Sequence, residues 1–115
     1  MNTVTIEVSS AEKTRERMLA AFEGQEQGNY ISFPTTETLW KTFTPKRWEV
    51  IREMTGAGAI AIRELSRRLQ RDVRAVHSDV HALLNCGVLD KTSDGKIEFP
   101  YEAVHVDFMV TKEAA

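Results

Sequence analysis

Two sets of side chains in this sequence have types and spacing suited to chemistry. His77, Asp79 and His81 lie within VHSDVH, two imidazoles four residues apart with a carboxylate between them, the kind of spacing found in divalent-metal sites. Around them stand Arg63, Arg67, Arg71 and Arg74, cations three or four residues apart, suited to neutralising an anionic polymer. The elements that carry these residues decide which chemistry is available.

The charge distribution favours the second set. The 115-residue chain has a net charge of −2. From Thr44 to Lys91, nine basic residues stand against six acidic ones, so this middle carries +3 and the remainder −5. A binding partner responds to the local field rather than to the overall charge, so a basic middle points to an anionic partner. With 42% apolar and 28% charged residues the composition is that of a globular domain of one core, with possible terminal extensions. No signal-peptide pattern and no membrane-length apolar run is present, and Cys86 is the lone cysteine, so a cytoplasmic setting and no membrane partner are expected.

The positioning elements follow from periodicity. Val4, Ile6 and Val8 alternate with polar residues as a half-buried strand does. Ser9 and Glu12 have capping-box spacing, and Ala11, Arg15, Met18, Leu19 and Phe22 trace one stripe of a helix over about 10–23. GQEQGNY reads as a loop, YISF as a short strand or extended segment, and Thr35 and Thr36 as caps of a short helix with Leu39, Trp40 and Phe43. Thr44 followed by Pro45 is a helix start, and that helix runs through Trp48, Ile51 and Met54 toward Gly56. A two-turn helix begins near Ala61 and buries Ile62, Leu65 and Leu69. After Gln70 and Arg71, Asp72 is placed to cap a third helix with Val73, Val76, Val80, Leu83 and Leu84 inward and Gly87 at its end. Val88 and Leu89, the turn Ser93-Asp94-Gly95 and Lys96–Phe99 read as a hairpin; Val104, Val106, Phe108 and Val110 alternate as a last strand.

Helix, short helix, tight turn, longer helix, hairpin is the order of a winged helix-turn-helix, in which the third helix enters the DNA major groove. At about 100° per residue the inward set of that helix centres opposite Arg74, Ala75, Ser78 and Ala82. His77 and His81 then share one shoulder and Asp79 takes the other, so the three do not converge as metal ligands and no metal or other cofactor is expected. His81 is placed for a phosphate or base contact, or for plain solvation. Arg63 and Arg67 lie on the outer side of the second helix, where they contact phosphate or pair with Glu64, Asp72 or Glu49; Lys91 and Lys96 stand near the hairpin tip. The expected DNA-contact set is therefore Arg63, Arg67, Arg71, Arg74, Ala75, Ser78, His81, Lys91 and Lys96. Trp40, Trp48 and Cys86 are expected in the core, and no nucleophile–base pair or phosphate-cradling glycine loop suggests an enzyme.

The segments TPKRWEVIREM and IAIRELSRRLQRDVRAVHSDVHALLNCGVLDK resemble a prokaryotic family of small winged-helix transcriptional regulators, loosely similar to the MarR group. The likeness extends over roughly residues 31 to 110, with Ala61 standing where such proteins often have a capping serine. It implies DNA binding and transcriptional control, and some members lie beside toxin genes as presumed antitoxins. The expectation is thus an α+β chain with an N-terminal strand-helix extension (1–43), a winged helix-turn-helix (44–99) and a C-terminal strand and tail (100–115). It acts as a homodimeric repressor on double-stranded DNA, with recognition helix 72–86 and wing 88–99. The alternative is an antitoxin or adaptor module gripping a toxin or other protein. The first strand, the helix near 10–23 and the strand near 104–110 are expected to form or support the dimer interface.

Overall fold

The computed structural model describes residues 2–24 and 28–109. Positions 25–27 of the expected loop and Val110 of the expected last strand lie outside them. The fold is α+β. Strand β1 (Thr3–Val8), helix α1 (Ala11–Phe22) and strand β2 (Asn29–Phe33) come first and lead into helices α2 (Thr36–Thr42), α3 (Pro45–Met54), α4 (Ile62–Leu69) and α5 (Val73–Asn85). Strands β3 (Asp90–Lys91) and β4 (Ile97–Glu98) make an antiparallel hairpin, and β5 (Ala103–Asp107) is the last element described.

The terminal strands meet. β1 is the centre of a three-stranded sheet in the order β2-β1-β5, parallel on both sides, with Ile6 opposite Ile31 and Val106. Because side chains alternate across a strand, Val4 and Ile6 turn to the face that packs on the helices, and both are fully buried. They join Phe33, Leu39, Val50, Met54, Leu65, Val80, Leu83, Ile97 and Phe99 in a single core. Each such side chain removed from water contributes about 1.5–3 kcal/mol, so sheet and helices stabilise one another. Backbone bonds hold the two ends of the sheet region together as well: Glu102 N donates to Asn2 O at 2.8 Å and Gly56 N to Tyr101 O at 2.9 Å.

The opposite face of the sheet carries Glu7, and α1 crosses it on a polar clasp. Arg17 donates to both oxygens of the buried Glu7, one at 2.9 Å, Ser32 Oγ donates to the same carboxylate at 3.1 Å, and the Arg17 guanidinium lies 3.9 Å from the centre of the Tyr30 ring. The expected stripe of α1 faces away: no residue of the helix is buried, and Met18, Leu19 and Phe22 are 58%, 55% and 85% exposed. The cap is also one residue later than its spacing predicts. Ser9 N still donates to Phe33 O as part of the sheet, so Ser10 becomes the N-cap and accepts from Lys13 N.

The helix ends in the middle of the chain show how the tight turn is made. α5 ends with Gly87 at φ 82°, with Gly87 N on Leu84 O and Val88 N on Leu83 O, the paired bonds of a Schellman motif. α4 ends with the same two bonds, Gln70 N to Arg67 O and Arg71 N to Ser66 O, but Gln70 adopts φ 54°, the only non-glycine residue with positive φ among the described residues. At the other ends, Thr44 accepts from Arg47 N, whereas Ala61 and Asp72 make no side-chain cap bond. Asp72 thus occupies its expected position without the expected bond.

Gln70→Gly should relieve the left-handed conformation and raise stability by about 1 kcal/mol in thermal or urea melts. Glu7→Gln should cost about 2–3 kcal/mol at pH 7, since it leaves Arg17 without its charge partner. Hydrogen bonding by Arg17 holds the Glu7 carboxyl below its usual 4.5, so its contribution is full above about pH 4.5 and fades as pH falls through the lower folded value. Melting curves of the wild type and Glu7→Gln should therefore converge in acid.

Candidate nucleic-acid interface

The centre of this region is a carboxylate. Asp79 lies on the shoulder of α5 beside its buried stripe, and a half-buried acid there needs compensation. Arg71 Nη2 donates to Asp79 Oδ2 at 2.7 Å and Arg47 Nε to Oδ1 at 3.2 Å. Each arginine then reaches further. Arg47 Nη1 donates to Thr42 O, the last residue of α2, at 3.0 Å, and Arg71 Nη1 to Lys46 O in the first turn of α3 at 3.3 Å. Glu49 stands 3.9 Å from Arg71. One carboxylate on α5 so fixes the start of α3, the end of α2 and the turn before α5.

This places Arg71 differently from the other expected contact residues. Its side chain is only 13% exposed and Nε is buried with no partner, so its charge is directed inward to Asp79. The sequence pattern placed Asp79 on a shoulder of this helix but did not reveal its pairing with Arg47 and Arg71, although an acid flanking an apolar helical stripe was the available signal.

Outward from these three residues, α5 exposes Val73, Arg74, Ala75, His77, Ser78 and His81, while Val76, Val80 and Leu83 are buried. Val73, expected inside, is 42% exposed because it opens the helix ahead of the packed turns. The outer row is small: Ala75 and Ser78 put little side chain between the helix backbone and whatever lies against it. The rings of His77 and His81 lie against each other at a tilt of 34°, with centroids 4.1 Å apart. Among the described residues no cluster of three or more His, Cys, Asp or Glu side chains is arranged to hold a metal.

Arg63 on α4, Arg74 on α5 and Lys91 on β3 are exposed, and among the described residues none of them is in an ion pair. Arg67 and Arg68 share Glu64, at 2.6 and 3.1 Å. Arg67 is 78% exposed, and a pair so open to water is screened enough for Arg67 to exchange its carboxylate for another anion. Lys96 lies 4.0 Å from Asp94 at the turn of the hairpin, where Thr92 Oγ1 also bonds Asp94. The hairpin is anchored below: Ile60 N donates to Ile97 O and Ile97 N to Ile60 O, each at 2.9 Å, so the segment before α4 pairs with β4.

Two expected core residues lie elsewhere. Trp40 is 52% exposed and meets the Phe108 ring edge-on, 5.1 Å away, because α2 presents Leu39 to the core instead. Cys86 is exposed at the C-cap of α5, with Sγ donating to Leu83 O. Trp48 is partly buried, stacked on Phe43 at 4.5 Å.

The family model HVO_A0114 matches residues 42–106, more than half of the chain, and the protein belongs to that family. The family's description names no activity. Comparison with curated proteins and with solved structures gave no match. None of the described helices is long and apolar enough to cross a membrane.

Asp79→Asn should cost about 2–3 kcal/mol, because it leaves two largely buried guanidiniums short of their counter-charge. Equilibrium urea unfolding measures it; a loss under about 0.5 kcal/mol, the range of ordinary surface changes, would contradict the role given to this residue.

Proposed function

We propose that this protein binds duplex DNA as a winged helix-turn-helix and acts as a transcriptional regulator. The observation that carries this reading is the outer face of α5: small side chains at Ala75 and Ser78, a cation at Arg74, and the exposed cations Arg63 and Lys91 on the elements either side. A helix about 10–12 Å across fits a major groove about 12 Å wide, and small outward residues permit close approach. Free N–H groups in the first turn of α5, which has no side-chain cap, favour a phosphate there. The backbone bridge from Ile60 to β4 supports reading the hairpin as a wing, with Lys91 and Lys96 directed to the DNA backbone.

Within this reading the cations divide by role. Arg63, Arg67, Lys91 and Lys96 neutralise phosphates and set register; Arg74, Ala75, Ser78 and His81 face base edges or the groove wall. Arg71 supports them through Asp79, so its replacement tests folding as much as contact.

Arg63→Glu and Arg74→Glu leave the core untouched and should weaken binding to a fluorescein-labelled mixed-sequence duplex. Arg63→Glu removes a phosphate contact and should also lower the slope of log affinity against log salt by about 0.9. Fluorescence anisotropy over a salt series measures this. Variants that keep the wild-type affinity and slope would place the DNA elsewhere or remove it.

A further inference from the structure

The face of α1 turned away from the sheet is the largest feature that DNA binding leaves unused. Ala11, Arg15, Met18 and Phe22 recur every three or four residues along it with Leu19 adjacent, so they form one stripe on a twelve-residue helix. Its three large apolar side chains are more than half exposed. Beside them Ala11, Thr14 and Met18 of α1 and Phe33 and Pro34 at the end of β2 line a groove of about 330 Å³. Projection and recess thus lie on one surface of the same molecule, which is what a two-fold self-contact requires: the same patch serves both partners.

We infer that this face binds a second copy of the chain, as an antiparallel pair of α1 helices about a two-fold axis passing close to Leu19. The charges select the direction. Arg15 and Glu23 lie four residues to either side of Leu19, both exposed, so antiparallel pairing brings Arg15 of each copy to Glu23 of the other, at both ends of the contact. Parallel pairing would set Arg15 against Arg15. In the antiparallel arrangement Phe22 of one copy meets the Arg15–Met18 turn of the other, at the mouth of the groove. The polar clasp under the helix fits this assignment, since Arg17 and Glu7 orient α1 on the sheet and leave the apolar stripe for an intermolecular contact. Of the three elements expected to form or support the interface, β1 is the central strand of the sheet on which α1 lies.

Pairing through α1 is independent of the DNA reading, because its test contains no DNA and either can fail alone. Sedimentation velocity on the full chain between ~1 and ~100 µM should show a dimer. Phe22→Glu should raise the dissociation constant at least about 30-fold, as replacement of a central aromatic anchor does. Its circular-dichroism melt should be unchanged, because Phe22 is 85% exposed within its own chain. Arg15→Glu should weaken the dimer about tenfold, and adding Glu23→Arg should restore it. A chain that is monomeric throughout this range overturns the inference, as does a dimer that survives Phe22→Glu; a charge swap that fails to restore the Arg15→Glu dimer overturns the antiparallel arrangement.

Discussion

The helical half of the molecule is organised by one carboxylate shared between two guanidiniums. Asp79 receives Arg47 from α3 and Arg71 from the turn before α5, and the spare donors of each arginine end on backbone carbonyls at the start of α3 and the end of α2. Apolar packing of Leu65, Val76, Val80 and Leu83 brings α3, α4 and α5 together, but apolar contact is not directional. The bonds to Asp79 are. They fix how α5 is rotated and so which of its residues look outward.

The same constraint divides the basic charge. Of the nine cations between Thr44 and Lys91, two point inward to a single acid and two share Glu64. The other five, Lys46 and Arg52 on α3, Arg63 on α4, Arg74 on α5 and Lys91 on the hairpin, are exposed and without ion pairs among the described residues. A positive field is then presented by elements whose relative positions are set from within, which is what recognition of a regularly spaced polyanion demands. The sheet contributes differently. β1 sits between β2 and β5 and shares the core with α2 and α3, so the first and last strands brace the helices while α1 stays outside, attached through Glu7.

Much of this was legible in the residues because it is local. Thr44-Pro45 marks the start of α3, Gly87 the end of α5, and the three- and four-residue spacing of Val76, Val80 and Leu83 gives the buried side of α5. What escaped depends on partners far along the chain. The alternation at residues 3–8 and 103–107 indicates two strands but not that they lie side by side in parallel, about a hundred residues apart. The stripe on α1 is a stripe in the fold as well; periodicity says that Met18 and Phe22 share a face, not that the face meets solvent. Arg71 stands just before the proposed recognition helix, where a cation suggests a phosphate, yet Asp79 eight residues on satisfies it first. Trp40 and Cys86 illustrate the same limit: residue type predicts burial only on average.

Whether the outer face of α5 lies against duplex DNA is measured most directly by an amide chemical-shift titration of the isotopically labelled protein with a short mixed-sequence duplex at low salt. The expected result is that the largest shifts fall on residues 73–82, around Arg63 and on the hairpin near Lys91 and Lys96, and disappear as salt is raised. Shifts confined to α1 or the sheet, or none at duplex excess and low salt, would contradict DNA recognition by this face.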